Sequence, residues 1–316
     1  MVTFLVRRLV HALLVLLVVC TVTFGIVHAA PGGPSLLADP KLTAVEREAI
    51  ARRLGIDRPL PEQYARWLAR LARGDLGHSF LYETSTLSTI GQRLPNTLLL
   101  AGTALLLSLV VALPLAAWCA ERPGGWLDRL VGAVALGAIS VPVFWLGIVL
   151  ILVLAVQAGL FPAGGASTAG GDAGLGDRLR HLVLPAVVLA ATGTAELWRY
   201  TRASALRQWQ RPFVRTARAK GVGPRALRWR HAMRNALIPA VTVLGLQLPR
   251  LVGGAAITET VFAWPGMGRL GIEAALARDY PLVMGITLLV SAGVLVASLL
   301  VDLAYLALDP RIRAEG

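Results

Sequence analysis

The sequence predicts an all-α polytopic membrane protein: six transmembrane helices, with a small α-rich external insert after the first. Three observations predict it. The 316-residue chain is 56% hydrophobic and only 16% charged, with a mean hydropathy of +0.65; average soluble domains are about 25% charged. Six apolar runs recur along it. The basic excess is confined to one stretch between two of those runs. This composition excludes a disordered tail and argues against an ordinary soluble enzyme. The two cysteines, Cys20 and Cys119, lie in apolar runs and cannot build a disulfide framework or a zinc site. The five histidines are scattered, without an HExxH pattern. No metal site and no catalytic residue is predicted.

A spanning helix needs about 20 mostly apolar residues, because the hydrocarbon core is about 30 Å thick. The runs are Leu9 to Ala30, Leu98 to Ala120, Leu130 to Leu160, a short one from His181 to Leu197, Leu237 to Val261, and Leu282 to Leu308. The first is longer than the apolar region of a signal peptide and reads as an uncleaved anchor. Arg7 and Arg8 before it place the N-terminus in the cytoplasm. With six spans, the C-terminal tail and the loop after the fourth are then cytoplasmic too. Pro142 and Pro185 are candidate kinks in the third and fourth spans.

The organisation that follows is an N-terminal transmembrane helix at 1–30 and an external (periplasmic) insert at 31–93. A five-helix transmembrane core covers 94–308 and contains a cytoplasmic loop at 199–235; a cytoplasmic tail covers 309–316. The insert carries a capping box, Thr43-Ala44-Val45-Glu46, to start one helix, with Gly55 to stop it. Pro61 sits in the first turn of a second helix. That helix places Tyr64, Trp67, Leu68 and Leu71 on one face and ends near Gly74. The face either packs on the membrane domain or docks an external partner.

The loop holds eleven basic residues and no acidic one between Arg199 and Arg234, out of a net charge of +13. Nucleic acid could use such a patch, but an excess of Lys and Arg in a cytoplasmic loop is the simpler reading between apolar runs. No nucleic-acid partner is expected. Pro212 opens a short helix from Phe213 to Lys220, and Gly221 suits a left-handed cap. Gly223-Pro224 opens a second helix through Trp229 and Met233 to Pro239. A short helix held on a rigid frame suits insertion into a partner's groove; Ala217, Ala219 and Gly221 would permit close approach. Contact with anionic lipid is the alternative.

Within the membrane, Gln247 and Arg250 near the middle of the fifth run, and Glu259 near its outer end, are the candidate translocation residues, since charge at that depth is functional by default. Arg250 either meets polar or anionic substrate groups or pairs with an acid. Trp264, Pro265 and Gly266 suggest a tight outer turn or re-entrant piece, an outer-gate candidate.

The stretches Phe213 to Gly221 (FVRTARAKG) and Arg230 to Pro239 (RHAMRNALIP) resemble the cytoplasmic loop of inner-membrane permeases of ABC importers. The likeness is to the dipeptide/oligopeptide/nickel/glutathione branch and spans nearly the whole chain. Arg7-Arg8, Ala30-Pro31-Gly32-Gly33-Pro34, Gly74-Asp75-Leu76-Gly77 with Ser79, and Leu94-Pro95-Asn96-Thr97 fit it. So do Glu259-Thr260-Val261-Phe262, Trp264-Pro265-Gly266-Met267-Gly268 and Asp309-Pro310-Arg311. The broad family commonly carries Glu-Ala-Ala three residues before a glycine; here Arg215-Thr216-Ala217 precede Gly221.

The resemblance implies a type I ABC importer permease fold in a bacterial cytoplasmic (inner) membrane. It implies coupling to an ATPase through Arg215, Thr216, Ala217, Ala219, Lys220, Gly221, Val222 and Arg225. The partners it implies are a second related permease forming a heterodimer, two ATPase subunits and an external substrate-binding protein. ATP and Mg would belong to the ATPase subunits. The residues agree on that point: Lys41 and Lys220, followed by Leu42 and Gly221, cannot form a phosphate-binding GK[ST] loop. Transport by alternating access follows from the resemblance. Di- or oligopeptides are the expected cargo, because no His or Cys cluster suggests a bare metal. A stand-alone secondary transporter or channel is the alternative, although buried Asp or His chains are scarce. A membrane enzyme has no GxSxG and no catalytic pair to support it.

Overall fold

The computed structural model describes residues 2–29, 33–34, 37, 41–168, 170 and 174–308; for 2–5, 238–239, 248, 250–254, 302 and 304–308 it describes the backbone alone. Ala30-Pro31-Gly32 and the Asp309-Pro310-Arg311 tail lie outside the described residues. Among the described residues every named element is helical, and one isolated antiparallel bridge joins His78 to Ser85. The chain divides into two compact units, Met1–Asn96 with Pro265–Leu295, and Thr97–Trp264 with Val296–Gly316.

The first unit contains α1 (Val2–Ala29), α2 (Ala44–Leu54), α3 (Leu60–Leu71), the start of α4 (Thr86–Glu121), α11 (Met267–Leu276) and the start of α12 (Tyr280–Leu308). The insert helices form for the local reasons expected. Thr43 Oγ1 accepts from the Glu46 amide, and the Glu46 carboxylate accepts from the Thr43 amide at 2.8 Å. Gly55 closes α2 at φ 72°. The face of α3 carrying Tyr64, Trp67, Leu68 and Leu71 packs on Cys20 and Phe24 of α1 and Met284 and Leu288 of α12. Within this unit the insert's apolar face is therefore used internally; burying each such side chain contributes about 1.5–3 kcal/mol. The Tyr64 hydroxyl also meets the Thr21 hydroxyl at 2.6 Å.

A buried carboxylate organises the connection before α4. Asp279 is fully buried. It accepts from the Ser79 hydroxyl at 2.5 Å, the Leu81 amide at 2.9 Å and the Leu282 amide at 3.1 Å. Three hydrogen bonds offset the cost of burying its charge. Beneath that connection Ile90 packs with Met267, Leu270, Ala274, Leu282 and Ile286.

The second unit contains the rest of α4, α5 (Trp126–Ser140), α6 (Val143–Leu150) with a π-helical continuation (Ile151–Gln157), and α7 (Leu175–Trp209). It continues with α8 (Pro212–Ala219), a short α9 (Pro224–Ala226), a second π-helical segment (Leu227–Met233), α10 (Arg234–Val261) and the end of α12. Helix α7 packs against α5 and α10. Their core is built of small residues, Ala112, Ala116, Ala135, Ala195 and Ala240, with Leu197, Trp198 and Val243 between them. Small residues let helix backbones approach closely where the bilayer offers no hydrophobic drive. Gly245 of α10 is one such approach: a Cβ there would lie 2.7 Å from Val301 Cγ1 of α12.

Among the described residues, four helices are long and apolar enough to cross a membrane: Val6–Ala29, Thr86–Glu121, Leu175–Trp209 and Tyr280–Val301. The expected single third span is instead two segments, Trp126–Ser140 and Val143–Gln157, meeting at 108°. The cause is local. Pro142 disfavours the helical conformation at the preceding residue, and Val141 is extended at φ −88°, ψ 128°. Pro185 lies inside α7, which runs continuously through it. The short fourth run is the middle of this longer helix. At 28 residues, α10 also has the length to cross, at 1.5 Å per residue.

Candidate coupling site

The basic loop is built as a corner. Arg211 is extended at φ −72°, ψ 146°, and Pro212 then starts α8, where its missing amide costs nothing. The turn after α8 closes on three backbone bonds: Lys220 N–H to Thr216 C=O, Gly221 N–H to Arg218 C=O and Val222 N–H to Ala217 C=O. Gly221 takes φ +79°, a left-handed conformation that suits glycine. Gly223 is extended and Pro224 opens α9. From there the chain runs through the π-helical segment directly into α10.

Helix α8 has two faces. Val214 and Ala217, one turn apart, are buried with Leu227, and Trp209 and Val222 pack against them. Arg215, Thr216, Ala219, Lys220, Gly221 and Arg225 are exposed, and Val222 is half-buried. Ala217, expected with the small residues of close approach, lies on the buried side of the helix. It shares the inner face with Val214, and its small side chain lets α8 sit on its own base. Ala219 and Gly221 keep the outward position. The Arg218 guanidinium lies 6.0 Å from the Trp209 ring centroid. Beside α8, a shallow hollow of about 730 Å³ is lined by Gly223, Pro224, Arg225, Ala226, Trp229 and Arg230.

Two arginines of the loop region do not face outward. Arg202 near the end of α7 makes a two-pronged ion pair with Asp128 in the first turn of α5, with Nη2 2.5 Å from Oδ2. Arg228 in the π-helical segment pairs with Glu121 at the end of α4, with Nε 2.7 Å from Oε2. Asp128 also accepts from the Gly124 amide at 2.9 Å. The apolar support between these ties is Ala117, Ala120, Ala205, Met233 and Ala236. The loop base is therefore fixed to the α4–α5 turn by charge as well as by packing. Arg202 and Arg228 belong to the eleven basic residues that mark the loop in the sequence, where neither they nor Glu121 and Asp128 are singled out as pairs. The available signal was that these two are the acids flanking the turn between α4 and α5.

The candidate translocation residues divide. Gln247 is buried and donates from Nε2 to the Gly193 carbonyl at 2.8 Å. It continues a polar seam in which the Ser108 hydroxyl meets the Ala190 carbonyl and the Thr194 hydroxyl. Glu259 is fully buried, and its Oε1 accepts from the Thr97 hydroxyl at 2.7 Å. Arg250 lies on α10, and its side chain is outside what the structure describes. Trp264 is fully buried against Leu100, Ala104 and Leu182, and its amide donates to the Glu259 carbonyl at 2.8 Å. Ala263 before it is left-handed at φ 49°. In the other unit, the Pro265 carbonyl accepts from Asn96 Nδ2 at 2.9 Å, and Gly266 precedes α11.

Residues 112–314 match the family model described as the binding-protein-dependent transport system inner membrane component. Residues 1–101 match the model of the N-terminal part of such membrane components. The chain belongs to the binding-protein-dependent permeases. Its branch is the oligopeptide, dipeptide and glutathione one. The oligopeptide transport system permease protein AppB of Bacillus subtilis is 38% identical, over 99% of each chain. The probable D,D-dipeptide transport system permease protein DdpB of Escherichia coli K12 is 39% identical over 94% of each. The glutathione transport system permease protein GsiC of Pectobacterium atrosepticum is 36% identical over 99% of each. Among solved structures, an inward-facing form of the MetNI methionine ABC transporter matches with a TM-score of 0.54 at 21% identity. That match covers 71% of this chain and 97% of the other. It establishes the importer-permease fold. This permease is a multi-pass inner-membrane subunit of an ABC importer, a non-catalytic role.

Proposed function

We propose that this permease imports di- or oligopeptides by alternating access, driven by two ATPase subunits, one of which grips α8 from the cytoplasm. The single observation that carries the reading is the two-faced build of α8. Its inner face is clamped on Leu227 and Trp209, and its outer face presents Arg215, Thr216, Ala219, Lys220 and Gly221 to a partner. A displacement of α8 cannot be absorbed locally. It passes into α10 through the π-helical segment, and into α4 and α5 through Arg228–Glu121 and Arg202–Asp128. Those helices are candidates for lining the pathway, so a cytoplasmic pull alters which side the cavity faces.

The full arrangement in this reading has six spans and both termini in the cytoplasm. A related permease forms the other half of the pathway, and an external binding protein delivers the cargo. Peptide cargo is inferred from the relatives' names, and Arg250 is retained as a pathway candidate for a peptide carboxylate. Gln247 and Glu259 act in the same pathway by holding α10 to α7 and α4. Trp264, Pro265 and Gly266 are retained as the outer-gate candidates.

Ala219→Trp tests the reading. The side chain is exposed, so a bulky replacement leaves the inner face of α8 intact. The expected result is a folded permease that no longer co-purifies with its ATPase subunits and gives no ATP-driven uptake in proteoliposomes. Normal association and uptake would sink the proposal. Uptake driven by a proton or sodium gradient without any ATPase subunit would favour a secondary transporter instead.

A further inference from the structure

The first unit contains a cleft of about 1110 Å³, formed by residues outside the coupling loop and the candidate pathway. Its wall is formed by six arginines of the insert, Arg52, Arg53, Arg58, Arg66, Arg70 and Arg73, against one carboxylate, Glu83. Three of the six are already engaged: Arg52 pairs with Glu48, and Arg58 and Arg66 share Glu62. Arg53, Arg70 and Arg73 have no carboxylate partner among the described residues. Arg66 and Arg70 are four apart on α3, so like charges neighbour one another on its surface. The wall is therefore a concentration of positive charge that the insert's carboxylates compensate only in part.

The floor is different in kind. Phe24 and His28 come from the end of α1, Tyr280 and Met284 from the start of α12, and Trp67 from α3. The Phe24 and His28 rings stack at 3.9 Å, and His28 lies 4.6 Å from the Tyr280 ring. Both α1 and α12 are membrane-crossing helices by length and composition, and the cleft sits where these apolar stretches end. That is the depth of lipid headgroups, where aromatic side chains concentrate. Guanidinium groups match phosphate oxygens in a two-pronged geometry. A small free anion would use the wall and leave the apolar floor unused. An acidic protein surface would have to enter a cleft floored by spanning helices. An amphiphile satisfies both.

We propose that this cleft holds the phosphate headgroup of an anionic membrane phospholipid, with its acyl chains running into the bilayer beside α1 and α12. Bound there, the lipid ties the insert to the first and last spans. The inference rests on the membrane-spanning part of the proposed function and not on the cargo or the ATPase subunits.

The test uses the assembled transporter in nanodiscs of phosphatidylcholine doped with phosphatidylglycerol, with retained lipid counted after purification. The wild type is expected to retain phosphatidylglycerol in excess of its share. The triple variant Arg53→Gln, Arg70→Gln, Arg73→Gln should lose on the order of a hundredfold in that preference, each basic group near an anionic surface being worth roughly a factor of five. A photoactivatable phosphatidylglycerol should label the wild type at 24–28 or 280–284, a readout that does not depend on the variant folding. Equal retention by wild type and triple variant, or labelling confined to other segments, overturns the proposal. So does displacement of the lipid by inorganic phosphate, which would mark a free-anion site. A variant that keeps its lipid but loses the external binding protein would mark a protein dock, also against the proposal. A wild-type complex that retains its lipid but shows no ATP-driven uptake would count against the transport reading alone.

Discussion

Arg228→Ala removes one end of the tie between the π-helical segment and the end of α4. The pair is about one-fifth to one-quarter exposed, and Nε lies 2.7 Å from the Glu121 carboxylate. A hydrogen bond to a charged group contributes about 1.5–3 kcal/mol, and exposed pairs about 0–1 kcal/mol. For this partly screened pair about 2 kcal/mol is the expected loss, or roughly 30-fold in the population of the anchored loop. Global folding should survive, because Val214, Ala217 and Leu227 still hold α8. What should fail is transmission. Amide exchange at Leu227–Met233 should rise by about that factor, while ATP hydrolysis by the reconstituted complex continues and peptide uptake per ATP falls. Glu121→Ala should do the same. The two losses should not add in the double variant, and the swap Glu121→Arg with Arg228→Glu should restore part of the coupling. Additive losses, or an unchanged uptake-to-hydrolysis ratio, would refute the idea that this tie carries the motion.

Three other outcomes follow from the packing and the charges. Trp67→Ala empties the contact between α3 and the α1–α12 pair and should destabilise the insert by about 3–5 kcal/mol, read as faster amide exchange across α2 and α3. Gly245→Ala drives a Cβ to 2.7 Å from Val301 Cγ1, a stiff branched side chain. It should cost about 1–3 kcal/mol, and adding Val301→Ala should recover much of it in thermal unfolding. The Glu46 carboxyl is held below the usual carboxylate range by the Thr43 amide and hydroxyl. Its contribution to α2 is thus complete above the ordinary glutamate value of about 4.3 and is lost as pH falls through the lower folded value. Protection of the first turn of α2 should therefore fade below about pH 4, and Thr43→Ala should abolish that dependence.

What could be read from the sequence was what short range decides. The Thr43–Glu46 box, Gly55, the Pro212 start and the Gly221 corner each rest on a few neighbouring residues, and each stands in the structure. The α3 face was legible because its apolar residues repeat at helical spacing against polar ones. In the third apolar run that contrast is missing. Almost every residue is apolar, so no periodicity marked the 108° break, and Pro142 alone gave a kink without its size. The ties were illegible for another reason. Arg202 is 74 residues from Asp128, Arg228 is 107 from Glu121, and Ser79 is 200 from Asp279. Their pairing is made by tertiary packing. The inward place of Ala217 is not legible from its type, because a small residue serves an inner or an outer face equally well, and only its alignment with Val214 decides.

The central claim is that the outward face of α8 is seated in an ATPase subunit. Cysteine cross-linking in the assembled complex tests it directly, since the native Cys20 and Cys119 are buried. Cysteines introduced singly at Thr216 and Ala219 should cross-link to the ATPase subunit, with a yield that changes when nucleotide is added. One at Val214, on the inner face, should not. No cross-link from either outward position in a complex that still transports, or labelling of those positions from outside intact cells, would contradict the account.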